Sequence, residues 1–474
     1  MASGTHLLKE EDRSNWWKRI FDVEEAKTQI SLTLPLIVVN VSYYLVPLVS
    51  LMFAGRNNTL DLAGATLGSS WSAVTGISFL MGLTGALETL CGQSFGSKAY
   101  RMLGVHLQTS CIITIFFCLI ISVLWFFTDA ILVLFHQAPD IAKVAGLYLK
   151  CFIPGIFAYG LIQNVIRFLQ TQSCVNPMMI VAVCSVVFHV LVCYLMVDVV
   201  GLGFIGAPLA ASVSYWVSAA VLWLYVVFSE RFKKTWMGFT AESFRFIWPT
   251  LKIALPSAGM VCLEYCAFEL LVLLAGLLPD SQITTSLIAI CVNTEAIAYM
   301  FVCGLSAAIS TRVSNEIGAN RPHVAKRALF VSILLSVFCA LIIDLFLTFG
   351  HNQFSGLFTK NKQIKTRFAY MTPFLITSIT FDTIQGIFSG VTRGCGWQVF
   401  ALFANLIMFY FVGLPIAVVL AFIVKLGTTG LWIGLLCGLI CQACSLVTLS
   451  ICLKWERKDL VIVSDEDYVE VSEN

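Results

Sequence analysis

Residues 85–96 read GALETLCGQSFG, and residues 307–318, 222 positions further on, read AAISTRVSNEIG. Thr89 recurs as Thr311, Gln93 as Asn315, and Gly96 as Gly318. The register extends outward in both directions. Leu34-Pro35 returns as Leu255-Pro256 and Ala54-Gly55 as Ala275-Gly276, both at an offset of 221. Gln163 returns as Gln385 at 222, and Gly206 as Gly430 at 224. The chain is an internal duplication, and its fold is to be read as two copies of one unit.

Each unit is built for lipid. Of 474 residues, 58% are hydrophobic and 12% charged, against roughly 25% charged in soluble proteins. Mean hydropathy is +0.88. Such a chain cannot cover a soluble fold with polar side chains. Lys and Arg number 29 and Asp and Glu 27, so there is no basic excess for nucleic acid. Twelve apolar runs reach the roughly 20 residues that cross a bilayer. They start near Ile30, Leu62, Leu103, Ile141, Met178, Phe204, Trp248, Gln282, Ala325, Arg367, Gln398 and Gly430. A polar stretch at 229–245 divides them six and six. The expected organisation is an N-terminal segment 1–29, an N-lobe 30–228, a linker 229–247, a C-lobe 248–454 and an acidic tail 455–474. An even number of spans per unit makes the repeats parallel. That is the architecture of a secondary transporter with its site between the lobes.

The 17 cysteines lie mostly in apolar runs and read as packing residues. Neither they nor the six histidines have the spacing of a metal site or a disulfide framework. No metal, cofactor or enzymatic nucleophile is expected. The N-terminal segment lacks the basic-then-apolar pattern of a cleavable signal.

The duplicated segments also carry a resemblance. Residues 85–96 resemble the second-helix signature of the multidrug and toxic compound extrusion (MATE) family, and residues 310–319 its eighth-helix counterpart. Arg167 to Ser173 and Arg393 to Gln398 are similar to the motifs after the fourth and tenth helices. The pattern is nearest the plant DETOXIFICATION branch and covers about residues 25–455. It implies an all-α membrane protein with twelve transmembrane helices in two pseudo-symmetric six-helix lobes. A central V-shaped cavity and cation-coupled efflux by alternating access follow from the same resemblance, with a monomer expected.

Carboxylates inside a membrane are expensive and mark function by default. Glu88 and Glu316 fall in the signature segments and are expected to fix loop structure. Asp198 sits near an outer helix end, and Asp344 has no basic residue nearby in sequence. Glu264, Glu295 and Asp382 lie deep in the seventh, eighth and tenth runs. The repeat puts Tyr43 opposite Glu264 and Gly160 opposite Asp382. A scaffolding need would recur in both units, so a feature of one unit points to a specialised site. In plant MATE proteins the coupling acids are a helix-seven glutamate and a helix-ten aspartate, which the resemblance assigns to Glu264 and Asp382. Glu269, about 140° around the helix from Glu264, becomes an accessory acid. Asn40 stands where some bacterial and archaeal members carry a titrating aspartate.

Removal from water favours a neutral acid, and a second carboxylate nearby favours it further. Such a pair can take a proton or face a cationic substrate, which is antiport driven by a proton gradient. Pro35 and Pro256 offer matching kinks. Asn293, Glu295, Glu269 and Tyr43 are the candidates for substrate contact. No Lys or Arg lies mid-run, and Phe numbers 36. Together these favour organic cations or neutral aromatic compounds. The resemblance implies plant metabolites or xenobiotics, with the plasma and vacuolar membranes as locations. A major facilitator-type carrier would have an Asp-Arg motif where Gly96 to Arg101 stands. A lipid-linked sugar flippase or an organic-anion exporter of the same fold would want cationic groups in the cavity.

With both termini in the cytoplasm, 21 of the 29 basic residues fall on the cytoplasmic side and eight outside, as the positive-inside rule prefers. The sequon Asn57-Asn58-Thr59 then lies in a short outer loop. On sealed cells, a cysteine placed in either tail is expected to resist an impermeant thiol reagent. Labelling from outside would invert the topology.

Overall fold

The structure is a computed structural model and describes residues 23–56 and 58–456. The first 22 residues, Asn57 of the sequon and most of the acidic tail lie outside the described residues. Twelve membrane-length helices are present among them. They are α1 Val23–Ala54, α2 Thr59–Gly96, α3 Tyr100–Phe126, α4 Pro139–Thr171, α5 Asn176–Val199 and α6 Gly203–Phe228, then α7 Ala241–Ala275, α8 Ser281–Gly318, α9 Pro322–Phe358, α10 Lys362–Cys395, α11 Gln398–Ile423 and α12 Thr428–Cys452. In hydrocarbon a helix satisfies its own backbone, which is why each apolar run takes this form. Proline opens α4 and α9, where a missing N–H costs nothing. Gly396, at φ +77°, closes α10 in the left-handed region. We term the face at which α1 begins basal, and the opposite face apical.

Burial separates inner from outer helices. The most apolar windows of α2, α10 and α8 are 72%, 67% and 61% buried, whereas those of α9 and α11 are 28% and 22%. The former stand at the centre, and the latter present Leu, Phe and Ile outward, as lipid-facing helices do. One apolar cluster spans α1 to α6 and takes in Ala254 and Ala258 of α7 and Ala307 and Ala308 of α8; a second spans α7 to α12.

The duplicated segments turn out to be where the two lobes join. The basal ends of α2 and α8 cross in backbone contact. A Cβ on Gly96 would meet the Asn315 carbonyl, and one on Gly318 would meet the Gln93 carbonyl. Because 96 pairs with 318 and 93 with 315 in the repeat, the two contacts are one contact seen twice. The pseudo-twofold axis passes between them. Small residues permit this approach, as in small-xxx-small helix pairs. Side chains follow the symmetry to within a residue or so. The Gln93 amide donates to the Gly394 carbonyl at 3.0 Å and the Asn315 amide to the Thr171 carbonyl at 3.1 Å. Thr89 donates to the Arg393 carbonyl, while Gln170 donates to the Ala307 carbonyl and Thr311 hydroxyl at 3.0 and 3.1 Å.

These bonds close the lobes on the basal half. Further basal ties join Gln29 to the Ala328 carbonyl at 2.8 Å and Arg312 to Glu25 at 2.7 Å. Near mid-depth the Ser78 hydroxyl and the Cys262 thiol meet across the lobe boundary at 3.6 Å. The linker is no free tether. The Gln108 side chain on α3 donates to the Gly238 carbonyl at 2.6 Å and accepts from the Thr240 N–H at 2.9 Å, and Arg101 pairs with Glu242.

Gly318→Val should cost about 1–3 kcal/mol by forcing apart the α2–α8 backbones, lowering the melting temperature in detergent. Gly350→Ala, in the interior of α9 where an added Cβ meets nothing within 4 Å, should hold it or raise it slightly.

Candidate functional site

The crossing of α2 and α8 leaves a space above it, and its walls define the site. A cleft of empty volume ≈ 730 Å³ lies between the lobes, lined by Asn40, Tyr43 and Tyr44 of α1, Tyr159, Gln163 and Arg167 of α4, Tyr215 of α6 and Tyr265 of α7. Tyr43 and Tyr159 each pack against Tyr215, with ring centroids 6.4 and 5.7 Å apart. Asn40 donates to the Leu36 carbonyl one turn back, at 2.7 Å. The N-lobe wall is therefore aromatic and amide-bearing, without a carboxylate among its lining residues.

The C-lobe holds the acids behind its wall. Glu264 and Asp382 are 6% and 3% exposed and lie within electrostatic reach of each other. The Gln385 amide of α10 donates to Glu264 at 3.4 Å. Glu295, 3% exposed, accepts from the Ser378 hydroxyl at 2.8 Å. The Trp432 indole supports that hydroxyl at 3.3 Å. Asp344 of α9, which the sequence left unplaced, accepts from Thr380 at 2.9 Å and lies within electrostatic reach of Glu295. The acids thus form a lateral series across the lobe: Glu264, Asp382, Glu295, Asp344. One oxygen each of Asp382, Glu295 and Asp344 has no hydrogen-bond partner. The repeat position of Asp382 is Gly160, where even a Cβ would press on Thr114 at 2.5 Å.

Helical rotation sets several candidates on different faces. Glu269 is half-buried on another face of α7, away from Glu264. Asn293 and Glu295, about 200° apart on α8, do not share a surface: Asn293 is exposed while Glu295 is packed inside the lobe.

Two readings need correction. Glu316 does hold the turn after α8, pairing with Arg321 at 2.9 Å and with Arg312 at 3.1 Å. Glu88 does not hold a loop. Fully buried, it bridges Arg167 of α4 at 2.8 Å and Arg393 of α10 at 2.9 Å, so its second partner belongs to the other lobe. The cavity is also not free of cations. Arg167 and Arg393 line a smaller space of empty volume ≈ 440 Å³ at the base of the cleft, with Glu88, Tyr299 and Cys303. Their Cα atoms sit near helix ends, but long flexible stems carry the guanidinium groups inward. The polar, arginine-bearing signature segments were the available signal; what was missing was the direction in which those side chains point.

Glu88→Ala would strand two buried guanidinium groups. Removing one partner of a buried ion pair costs about 3–5 kcal/mol. Thermal melting in detergent should therefore fall more for this variant than for Glu230→Ala, whose pairing with Lys233 is exposed.

Comparison with known proteins places this geometry. The chain matches the MatE family profile over residues 35–195 and 256–419, two segments that begin at Pro35 and Pro256 and so repeat the internal register. It is 52% identical to Protein DETOXIFICATION 18 of Arabidopsis thaliana over 94% of this chain and 95% of that one. It is 42% identical to Protein DETOXIFICATION 16 of the same plant, over 92% and 90%. Its structure resembles the crystal structure of the eukaryotic MATE transporter AtDTX14, with a TM-score of 0.89, 35% identity, and coverage of 94% of this chain and 99% of that one.

Proposed function

The chain belongs to the MatE family, a family of membrane transporters rather than enzymes, and from that premise we propose that it exports aromatic metabolites or xenobiotics in exchange for protons. It is a multi-pass membrane efflux transporter of the DETOXIFICATION branch. The proposed coupling site is Glu264 with Asp382. The observation that carries this reading is that the buried carboxyl groups without an ion-pair partner among the described residues, Glu264, Glu295 and Asp382, lie together in the C-lobe, whereas buried Glu88 and Glu25 of the N-lobe are paired with arginines. At least one of their oxygens, on Asp382, is left open to a proton.

The chemistry runs as competition. A proton on the pair removes a charge that a cationic substrate group would otherwise neutralise. Filling the site with one therefore disfavours the other, and a gradient of protons drives substrate the opposite way. The tyrosine-rich N-lobe wall supports flat aromatic substrates, cationic or neutral, through ring contacts and hydroxyl hydrogen bonds. Tyr43 is its proposed contact on that wall. Glu295 acts on substrate preference through its place beside Asp382, while Asn293 and Glu269 are secondary candidates on other faces. Basal corresponds to the cytoplasm, and the membrane is the plasma or vacuolar membrane. Arg167 and Arg393 favour one second reading, export of organic anions, because they offer an anionic group a partner in the cleft.

Glu264→Gln and Asp382→Asn keep size while removing titration. In proteoliposomes each should abolish efflux driven by an imposed pH gradient. The melting temperature should hold or rise, since a buried charge is no longer desolvated. Glu269→Gln should lose less than Glu264→Gln, and Glu295→Gln should alter preference within a metabolite panel more than coupling. Wild-type pH dependence in both Glu264→Gln and Asp382→Asn would refute the assignment. Saturable uptake of anions alone would favour the second reading.

A further inference from the structure

The stretch that joins the lobes, residues 229–252, runs along the basal face and lines neither space of the site. It carries five basic residues, Arg231, Lys233, Lys234, Arg245 and Lys252, against two acids. Both acids are paired within the protein, Glu230 with Lys233 at 2.6 Å and Glu242 with Arg101. Lys234 and Lys252 are exposed and have no ion-pair partner among the described residues. The same stretch turns large apolar side chains outward. Phe239 is 87% exposed, and Met237, Phe244 and Trp248 are exposed with it. These side chains stand on a fixed ledge. Besides the two bonds of Gln108, the Thr109 hydroxyl of α3 donates to the Ser243 carbonyl at 2.8 Å. A Cβ on Gly104 would meet the Thr235 carbonyl at 2.6 Å, so the ledge lies directly on the α3 backbone. Trp236 packs edge-to-face with both Trp223 of α6 and Phe239, at centroid distances of 5.5 and 5.4 Å.

Depth decides what covers the ledge. It follows directly on Phe228, the outward-facing last residue of α6. On α7, Trp248, Lys252 and Leu255 fall within about 60° of one another at 100° per residue, and all three are exposed. The outer stripe of α7 therefore passes from tryptophan through lysine to leucine as the helix enters the apolar layer. That is the order of a membrane interface, where aromatic rings sit at headgroup level. A lysine there lays its stem on the apolar surface and lifts its ammonium to the phosphates. We propose that the ledge is a docking surface for anionic phospholipids of the basal leaflet, with Lys234 and Lys252 taking the headgroups and the outward aromatic side chains seated beside them. The choice of an anionic over a zwitterionic lipid follows from charge. A zwitterionic headgroup brings its own cation, whereas these lysines have no protein carboxylate to balance them. Because α3 already holds the ledge in place, little ordering is left to oppose binding. The proposal is independent of the coupling site.

The test is native mass spectrometry of the full-length protein released from mixed micelles. The micelles hold equal amounts of phosphatidylserine and phosphatidylcholine with the same acyl chains. The wild type should retain phosphatidylserine in preference. Lys234→Gln and Lys252→Gln should each lower that preference by about fivefold, the effect of one basic residue at an anionic surface. The double variant should lower it further. Lys234→Arg/Lys252→Arg should keep it. Lys360→Gln/Lys362→Gln removes two exposed lysines at the apical face and should leave it unchanged. Melting temperature in lipid-free detergent should be the same for the wild type and the Lys234→Gln/Lys252→Gln variant. Equal retention of the two lipids by the wild type overturns the proposal. So does an equal loss in the apical variant, which would make the preference a matter of overall charge. Displacement of the retained lipid by millimolar inorganic phosphate would assign the lysines to a soluble anion. A melting shift of the double variant without lipid would assign them to another segment of the chain, such as the acidic tail. Either result overturns the lipid assignment.

Discussion

Two helix backbones touch at Gly96 and Gly318, and the closure of the two lobes on the basal side centres on that contact. In a bilayer there is no hydrophobic force to press one lobe against the other, because lipid chains are as apolar as leucine. The lobes are held instead by close packing at small residues and by side-chain amides and hydroxyls that reach across to carbonyls. The same residues serve from both sides of the axis, which is why the duplicated segments stay alike while the rest of the two halves has drifted apart. Closing the lobes at one face in this way leaves them to diverge above mid-depth, and the cleft is the result.

Function departs from that symmetry. The N-lobe wall is made of tyrosines and amides, and the C-lobe holds carboxyl groups where the N-lobe has Tyr43 and Gly160. Gly160 cannot be converted to the acid of its partner without displacing Thr114, so the packing of α3 against α4 enforces the difference. In the proposed mechanism the lobes divide the labour: one offers contact surface, the other holds exchangeable protons. The ion cluster of Glu88, Arg167 and Arg393 sits where the two meet.

Much of this was legible in the sequence. Twelve helices, the six-and-six division and the parallel repeat follow from apolar run length and a constant offset, because membrane helices are local structures fixed by their own composition. The depth of Glu264, Glu295 and Asp382 was legible for the same reason. What escaped was rotation and reach. Arg167 and Arg393 look like helix-end residues, yet α4 and α10 run to 33 and 34 residues, about 50 Å at 1.5 Å per residue, far more than the roughly 30 Å hydrocarbon core. Their ends therefore flank the basal cavity, and their side chains enter it. Asp344 had no partner in sequence because its partner, Thr380, is on a neighbouring helix. Asn293 and Glu295 were both candidates for substrate contact and lie two residues apart in sequence, but a helix turns them to different sides.

Reversed coupling tests the central claim most directly. In proteoliposomes with the membrane potential clamped, a gradient of ethidium, a cationic aromatic probe, is imposed without any pH gradient, and an internal dye reports proton movement. If proton and substrate exchange through the C-lobe acids, ethidium running down its gradient drives protons the other way in the wild type. Nothing moves protons in Glu264→Gln/Asp382→Asn. Ethidium flux with no accompanying proton movement in the wild type, or undiminished proton movement in the double variant, would contradict the account.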